Sequence, residues 1–134
     1  MLDLFAGTGA VGLEAVSRGA ARAVLVERDD EPLRQTLTRL AVASSEVVVR
    51  RQGSARAIEE MIRAGETFDL VFADPPYSLR LEETGLGRVP ELLSAGGLFL
   101  LQRDAGSERP DFPGLTHLRQ RSYGRNVFHF FGTL

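Results

Sequence analysis

The chain has 134 residues, of which 43% are apolar and 25% are charged, and its formal net charge is −2. These values predict one ordered domain spanning residues 1–134, and they argue against a disordered or strongly basic chain. The absence of cysteine excludes disulfides, thiolate metal ligands and a cysteine nucleophile. His117 and His129 lack the spacing of metal ligands, and no apolar stretch approaches the roughly 18–20 residues of a membrane span. We therefore expect a cytoplasmic monomer that uses neither metal nor membrane.

The first half of the chain predicts β-strands that alternate with α-helices. Gly19 and Gly65 are typical of helix ends, and Asp30 and Ser54 can cap the starts of the second and third helices. Apolar residues recur at helical spacing after both predicted caps. The predicted strands cover residues 1–6, 23–27, 46–50 and 68–73, and the first helix covers residues 10–18.

The second half of the chain is less regular. Residues 79–94 are partly helical, but two glycines and Pro90 interrupt them, so we expect a loop and then a short helix near Glu91. The other predicted elements are a strand at 98–102, a surface loop at 105–114, and hairpin strands at 115–121 and 126–131. Five β/α steps followed by a hairpin predict a mainly parallel sheet with one antiparallel strand.

A glycine-rich turn follows the first predicted strand. Residues 7–12 have the sequence GTGAVG, which fits the GxGxxG pattern of a ligand-binding turn between a strand and a helix. Glu27 ends the second strand and can accept hydrogen bonds from ribose hydroxyls. Nicotinamide and flavin enzymes share these features. Asp3 favours a methyl donor instead, because a carboxylate beside the ligand suits a sulfonium and an ammonium better than a pyrophosphate.

A second turn, Asp74-Pro75-Pro76-Tyr77, directly follows the apolar strand at residues 68–73. An exocyclic amine on a base is a poor nucleophile, because its lone pair is delocalised into the ring. The Asp74 carboxylate and the Pro75 carbonyl can accept both of its N–H bonds, and the prolines preorganise these acceptors. Tyr77 offers a face on which a base can stack. Taken alone, the same four residues are also compatible with a rigid surface turn.

Together these motifs resemble the class I S-adenosylmethionine-dependent methyltransferases, and among them the RsmD family of small-subunit ribosomal RNA guanine-N2 methyltransferases. The resemblance lies in residues 2–9, 12–15, 17–20, 26–27 and 68–77. It implies a Rossmann-like α/β fold with a mainly parallel seven-stranded sheet, helices on both faces and a C-terminal antiparallel hairpin. It also implies S-adenosyl-L-methionine as the cofactor, and ribosomal RNA or a small-subunit assembly intermediate as the partner.

The resemblance also assigns roles to individual residues. It places Asp74, Pro75, Pro76 and Tyr77 around the target base as the catalytic set. The residues that it assigns to the cofactor are Asp3, Phe5, Gly7, Gly9, Glu27, Arg28, Ser54 and Ala55.

Three features depart from this family. Ser54 stands where such enzymes commonly carry an aspartate that accepts from the adenine amino group, and Gln102 stands where the family tends to carry glutamate. The chain also starts two residues before Asp3, whereas family members have an additional N-terminal segment. We therefore expect a fragment, or a start site placed too far downstream, and a cofactor pocket that lacks one wall.

The candidate RNA contacts are Arg80, Tyr123 and Arg125. Arg80 follows the second turn and can reach a phosphate beside the target base. Tyr123 and Arg125 lie in a locally basic tail that can follow an RNA backbone, although solvated side chains explain all three residues equally well.

Other functions remain compatible with these motifs. The second turn also fits an adenine N6 or cytosine N4 methyltransferase acting on DNA, or a protein glutamine methyltransferase. An NAD(P)-dependent oxidoreductase would explain the glycines and Glu27, but neither Asp3 nor the second turn. A non-catalytic fragment is the remaining alternative, and the short N-terminus motivates it.

Overall fold

The computed structural model describes residues 1–42 and 45–133. Within these residues, strands and helices alternate as far as the fourth strand, as the sequence predicts. The elements are β1 (Leu2–Asp3), α1 (Ala10–Ser17), β2 (Ala23–Val26), α2 (Glu31–Leu40), β3 (Val47–Arg50), α3 (Ser54–Arg63), β4 (Phe68–Ala73), two 3₁₀ segments (Leu81–Glu83 and Leu86–Leu92), β5 (Leu93–Asp104), β6 (Thr116–Tyr123) and β7 (Asn126–Gly132). None of the described helices is long and apolar enough to cross a membrane.

The strands form one seven-stranded sheet in the order β3-β2-β1-β4-β5-β7-β6. Strands β1 to β5 pair in parallel, and β7 is antiparallel to both β5 and β6. The predicted mainly parallel sheet with a C-terminal antiparallel hairpin is therefore confirmed. The chain order reverses at β1, which pairs with both β2 and β4, and ligands of open α/β sheets bind at the carboxyl ends of strands at such a switch point.

Helical segments cover both faces of the sheet. On one face, Leu33 of α2 and Leu13 of α1 pack around Leu25 of β2. On the other face, Ile58 of α3 belongs to a larger core that includes both strand residues and the second 3₁₀ segment. The alternation of side chains along β2 explains this division, because Val24 and Val26 face the larger core. The predicted arrangement of helices on both faces is confirmed.

The strand limits differ most from the prediction at two places. The first strand ends at Asp3, although Leu4 N still donates to Phe72 O on one side and Ala6 N donates to Val26 O on the other. The fifth strand begins at Leu93, five residues earlier than predicted. The register between β4 and β5 shifts between Phe68 and Leu70, and the extra residues, which include Gly96 and Gly97, lie in β5.

Neither predicted cap makes a side-chain capping bond, and only Asp30 occupies the predicted N-cap position. Asp30 is the N-cap residue of α2, but its carboxylate accepts from Arg34 Nε at 2.5 Å and makes no capping bond. The N-cap residue of α3 is Gly53, and Ser54 Oγ donates to Thr84 O at 2.8 Å. In both cases another partner takes the side-chain oxygen that would otherwise bond to the helix N-terminus.

Three aromatic rings fasten the loop between β5 and β6 to the sheet. Phe112, at the centre of this loop, is 4% exposed. Its ring centroid lies 5.1 Å from that of Phe99 on β5 and 5.0 Å from that of Phe131 on β7, both in edge-to-face geometry. Buried Phe112 therefore attaches the predicted loop at residues 105–114 to the sheet.

Replacing Phe112 with alanine should lower the free energy of unfolding by about 3–5 kcal/mol, because it leaves a cavity between two buried rings. Urea denaturation of both proteins measures this difference. Leu118→Ala, at a position that is 45% exposed, is the matched control and should change stability far less. Equal effects of the two substitutions would contradict the anchoring role of Phe112.

Candidate active site

Three carboxylates lie at the carboxyl ends of the neighbouring strands β1, β2 and β4. Asp3 is the last residue of β1, Glu27 follows β2, and Asp74 follows β4. Because β1 lies between β2 and β4 in parallel register, the sheet itself brings these acids to one edge. The sequence places them 24 and 47 residues apart.

The glycine turn is bonded to one of these acids. Gly7 has φ +57° and Gly9 has φ +85°, a left-handed conformation that L-residues with a side chain rarely adopt. A Cβ on Gly7 would meet no atom within 4 Å, whereas a Cβ on Gly9 would overlap the Leu33 side chain. Gly7 N donates to Glu27 Oε2 at 2.8 Å. The turn therefore orients Glu27, and its open side at Gly7 leaves room for a ligand.

A pocket of about 400 Å³, here called the Glu27 pocket, lies between β2, the start of α3 and the segment after β4. Five of the eight predicted cofactor residues line it: Phe5, Glu27, Arg28, Ser54 and Ala55. The other three, Asp3, Gly7 and Gly9, are not among its lining residues. Pro76 of the predicted catalytic turn also lines it. The lining residues that the sequence did not assign to a site are Leu4, Val26, Gln52, Gly53, Leu79 and Glu83.

The lining residues that sequence analysis did not predict differ in how much sequence signal they carried. Gly53 precedes a predicted helix start, and a Cβ there would lie 2.8 Å from Arg28 Nε, so the Arg28 guanidinium packs closely against this backbone. Leu79 and Glu83 offered no signal, because they reach the pocket only when the chain folds back after β4.

Ser54 is engaged within the protein. Its hydroxyl donates to Thr84 O, so the oxygen keeps acceptor capacity but no free proton. A Cβ on Gly85 would lie 2.8 Å from Ala55 Cα, which shows how closely this turn packs against the start of α3. The first N–H groups of a helix lack partners within the helix, so the backbone at Ala55 can donate to a ligand.

Asp3 is buried, and among the described residues it forms no ion pair with a cation. It is 1% exposed, and Phe5 N donates to its Oδ1 at 3.3 Å. Burial raises the pKa of Asp3 to about 7, the hydrogen bond from Phe5 opposes this, and the negative charges of Asp74 and Glu27 add to it. Ionised Asp3 would be stabilised by a ligand that brings a positive charge.

A second pocket, here called the Asp74 pocket, has a volume of about 380 Å³. The four residues of the second turn line it together with Phe5, Glu27 and Gln102. Tyr77 is 80% exposed, so its ring is free to stack on a ligand. Partial burial raises the pKa of the Asp74 carboxyl. Phe5, Glu27 and Pro76 line both pockets, which makes the two pockets neighbours.

The remaining candidates lie outside both pockets. Arg80 is exposed and pairs with Glu83 at 3.3 Å. Tyr123 and Arg125 lie at the β6–β7 turn, which is on the same sheet edge as Asp74 because Asn126 pairs with Asp104 at the end of β5. Among the described residues, no group of three or more acids and histidines could hold a metal ion.

Comparison with known proteins places the chain in a family. The family model described as conserved hypothetical protein 95 matches residues 1–132. The "Putative rRNA methyltransferase YlbH" of Bacillus subtilis is 30% identical over 128 residues, which cover 92% of this chain and 70% of that protein. The ribosomal RNA small subunit methyltransferase D of Escherichia coli is 40% identical over 89 residues, which cover 62% of this chain and 41% of that protein. The matched part is therefore less than half of the Escherichia coli relative.

The fold has close solved counterparts. A conserved hypothetical protein of Streptococcus pyogenes superimposes with a TM-score of 0.86 at 28% identity, covering 99% of this chain and 84% of that one. Solved methyltransferases share the fold at lower identity. The predicted Rossmann-like methyltransferase fold and the predicted RsmD-like family resemblance are both confirmed.

Replacing Asp3 with asparagine should stabilise the ligand-free protein at pH 8 and raise its melting temperature by about 5 °C or more. The folded pKa lies above the unfolded value of 3.8, so ionisation of Asp3 costs folding free energy above pH 7. The difference between the proteins should shrink as the pH falls from 7 towards 4. Thermal melts at several pH values measure this, and a difference that does not depend on pH would contradict it.

Proposed function

We propose a methyltransferase function for this chain, which belongs to the conserved hypothetical protein 95 family. It transfers the methyl group of S-adenosyl-L-methionine to an exocyclic amino group of a base in small-subunit ribosomal RNA, and guanine N2 is the acceptor atom. The observation that carries the proposal is that two adjacent pockets share Phe5, Glu27 and Pro76. One pocket suits the donor and the other suits the base. The unit is a single domain over residues 1–134 that acts as a monomer in the cytoplasm.

The Glu27 pocket has the polar groups that an adenosine needs. The Glu27 carboxylate is held by Gly7 N and Arg28 N, and it can accept from the ribose hydroxyls. The start of α3 presents the Ser54 oxygen as an acceptor and the Ala55 N–H as a donor for the adenine edge. We assign the buried Asp3 carboxylate to the methionine end of the ligand, where it can pair with the ammonium.

The Asp74 pocket fits guanine better than the alternative bases. In guanine the N1–H lies next to the exocyclic N2 amino group, so one carboxylate can accept from both. In adenine and cytosine the ring nitrogen next to the amino group is an acceptor and would repel the Asp74 carboxylate. Asn in place of Asp74 would offer one acceptor and one donor, which is the pattern that those bases require.

The chemistry needs positioning more than a strong base. When bound, S-adenosyl-L-methionine supplies an electrophilic methyl group on a sulfonium. Asp74 and the Pro75 carbonyl accept the two N–H bonds, which leaves the nitrogen lone pair directed away from the ring. Tyr77 stacks on the base and limits its rotation. As the N–C bond forms and the S–C bond breaks, the amino nitrogen loses one proton, and Asp74 is placed to accept it.

The binding of S-adenosylhomocysteine should depend on pH through Asp3. The ligand ammonium favours the ionised carboxylate, so binding lowers the raised pKa of about 7. Affinity should therefore weaken as the pH falls below 7, by up to about tenfold per pH unit, and level off above it. Calorimetric titration between pH 5.5 and 8.5 measures this dependence.

Asp3→Asn should bind weakly and show little dependence on pH. Asp104→Asn, an exposed carboxylate that lines neither pocket, is the matched control and should follow the wild type. Wild-type affinity that stays constant through pH 7 would contradict the assignment of Asp3 to the ligand ammonium. No binding by any protein at any pH would contradict the proposed cofactor.

Asp74→Asn should slow methyl transfer by about 10²–10³-fold, the usual effect of losing one preorganised group in a transition state. The affinity for S-adenosylhomocysteine should remain unchanged. Transfer is measured from tritiated S-adenosyl-L-methionine to small-subunit ribosomal RNA and to small ribosomal subunits.

The methylated nucleoside is then identified by mass spectrometry after complete digestion, and N2-methylguanosine is the expected product. The Asp104→Asn variant again serves as the charge-matched control. A methylated adenine or cytosine would refute guanine N2 as the acceptor, and an undiminished rate in Asp74→Asn would refute the role of Asp74.

A further inference from the structure

A third cavity, here called the Arg103 cavity, opens beside the Asp74 pocket. Its volume is about 580 Å³, within the range of about 300–1,000 Å³ that is usual for small-ligand sites. It shares no lining residue with the Glu27 or Asp74 pockets. Two of its lining residues nevertheless lie close in the chain to residues of the Asp74 pocket, since Arg80 follows Tyr77 by three residues and Arg103 follows Gln102 directly.

Arg103 points into this cavity because of the alternation along β5. Phe99 and Leu101 on the same side of the strand are buried in the larger core, and Arg103 is the next residue in that series. Its Nη1 is buried, and among the described residues it has no hydrogen-bond partner. A buried N–H of a cation without an acceptor is costly, so an anionic oxygen in the cavity would stabilise Arg103.

Arg109 is held at the same cavity by the loop between β5 and β6. Phe112 anchors this loop between the rings of Phe99 and Phe131. Arg109 Nη1 lies 3.4 Å from His117 Nδ1, and His117 Nε2 lies 3.2 Å from His129 Nδ1. Arg109 therefore donates to an imidazole and keeps its full positive charge.

The charges around the cavity are mixed, and they narrow the choice of ligand. Glu82, Glu108 and Asp111 also line it, and all three are exposed. Within the described residues, neither Arg103 nor Arg109 forms an ion pair with any acid. The site thus offers free guanidinium donors beside free carboxylate acceptors. A nucleotide complements both, because it carries a phosphate together with ribose 2′-OH and base N–H donors.

Resting on the proposed function, we propose that the Arg103 cavity binds a nucleotide of the RNA substrate that flanks the target base. Arg103 and Arg109 contact its phosphate, and the rim carboxylates accept from its ribose and base. Two planar guanidinium groups suit a phosphate because they can donate in pairs. Holding the flanking nucleotide would fix the backbone while the target base enters the Asp74 pocket.

The test compares RNA binding by the wild type and the Arg103→Gln/Arg109→Gln double variant. Fluorescence anisotropy with a labelled single-stranded RNA from the small ribosomal subunit gives Kd at several salt concentrations. We expect Kd to rise about tenfold or more at 0.1 M salt. The slope of log K against log salt should fall by about 0.7 for each phosphate that the variant no longer neutralises.

The matched control is Arg22→Gln/Arg39→Gln, which removes two exposed arginines outside the cavity. It should leave Kd and the salt slope near the wild-type values. Arg103→Lys/Arg109→Lys keeps the charge and should recover part of the affinity, which separates weaker phosphate binding from a failure to fold.

Equal Kd and equal slope for the cavity and control variants would overturn the proposal, as would a wild type that binds no RNA. S-adenosylhomocysteine binding is measured in parallel on all four proteins, and it should be the same throughout. If the wild type does not bind S-adenosylhomocysteine, the proposed function is refuted. A smaller salt slope in the Arg103→Gln/Arg109→Gln variant supports the proposal for the Arg103 cavity alone.

Discussion

The burial of the Asp3 carboxylate at the switch point is the constraint on which the site depends. The residue ends a two-residue strand between β2 and β4, so the sheet cannot form without enclosing it. Burial and two neighbouring acids hold its pKa far above the ordinary value for aspartate. The fold therefore carries a group that is unfavourable when ionised and unpaired, and favourable once a cation arrives. The buried Asp3 carboxylate therefore links ligand binding to the core of the sheet.

The two pockets owe their adjacency to one backbone turn. Gly7 takes a left-handed conformation and donates to Glu27, and Glu27 then borders both pockets. Two prolines stiffen the facing turn, so the acceptors at Asp74 and Pro75 need little reorganisation. The proposed donor and acceptor sites lie on rigid elements at the carboxyl ends of parallel strands, where ligands of open α/β sheets generally bind.

The irregular second half of the chain completes the surface around these pockets. The segment after β4 returns towards α3, where Thr84 accepts the Ser54 hydroxyl and Leu79 closes the Glu27 pocket. The loop after β5 is held by Phe112 and brings Arg109 near Arg103. Both segments contribute lining residues to the Arg103 cavity.

The sequence by itself determined the features that depend on neighbouring residues. Alternating apolar strands and helices, the glycine turn and the Asp74–Tyr77 turn all arise from local backbone preferences, so they were predictable, as was the order of elements. Tertiary structure decided the rest. Ser54 bonds to Thr84 instead of capping α3, and Asp30 bonds to Arg34, because a nearby partner outcompetes the helix terminus. Gln102, Leu79 and the Arg103–Arg109 pair gain their positions only when distant segments pack together. Such contacts produce no periodic pattern in the sequence, because they depend on where the sheet and its loops come together in space.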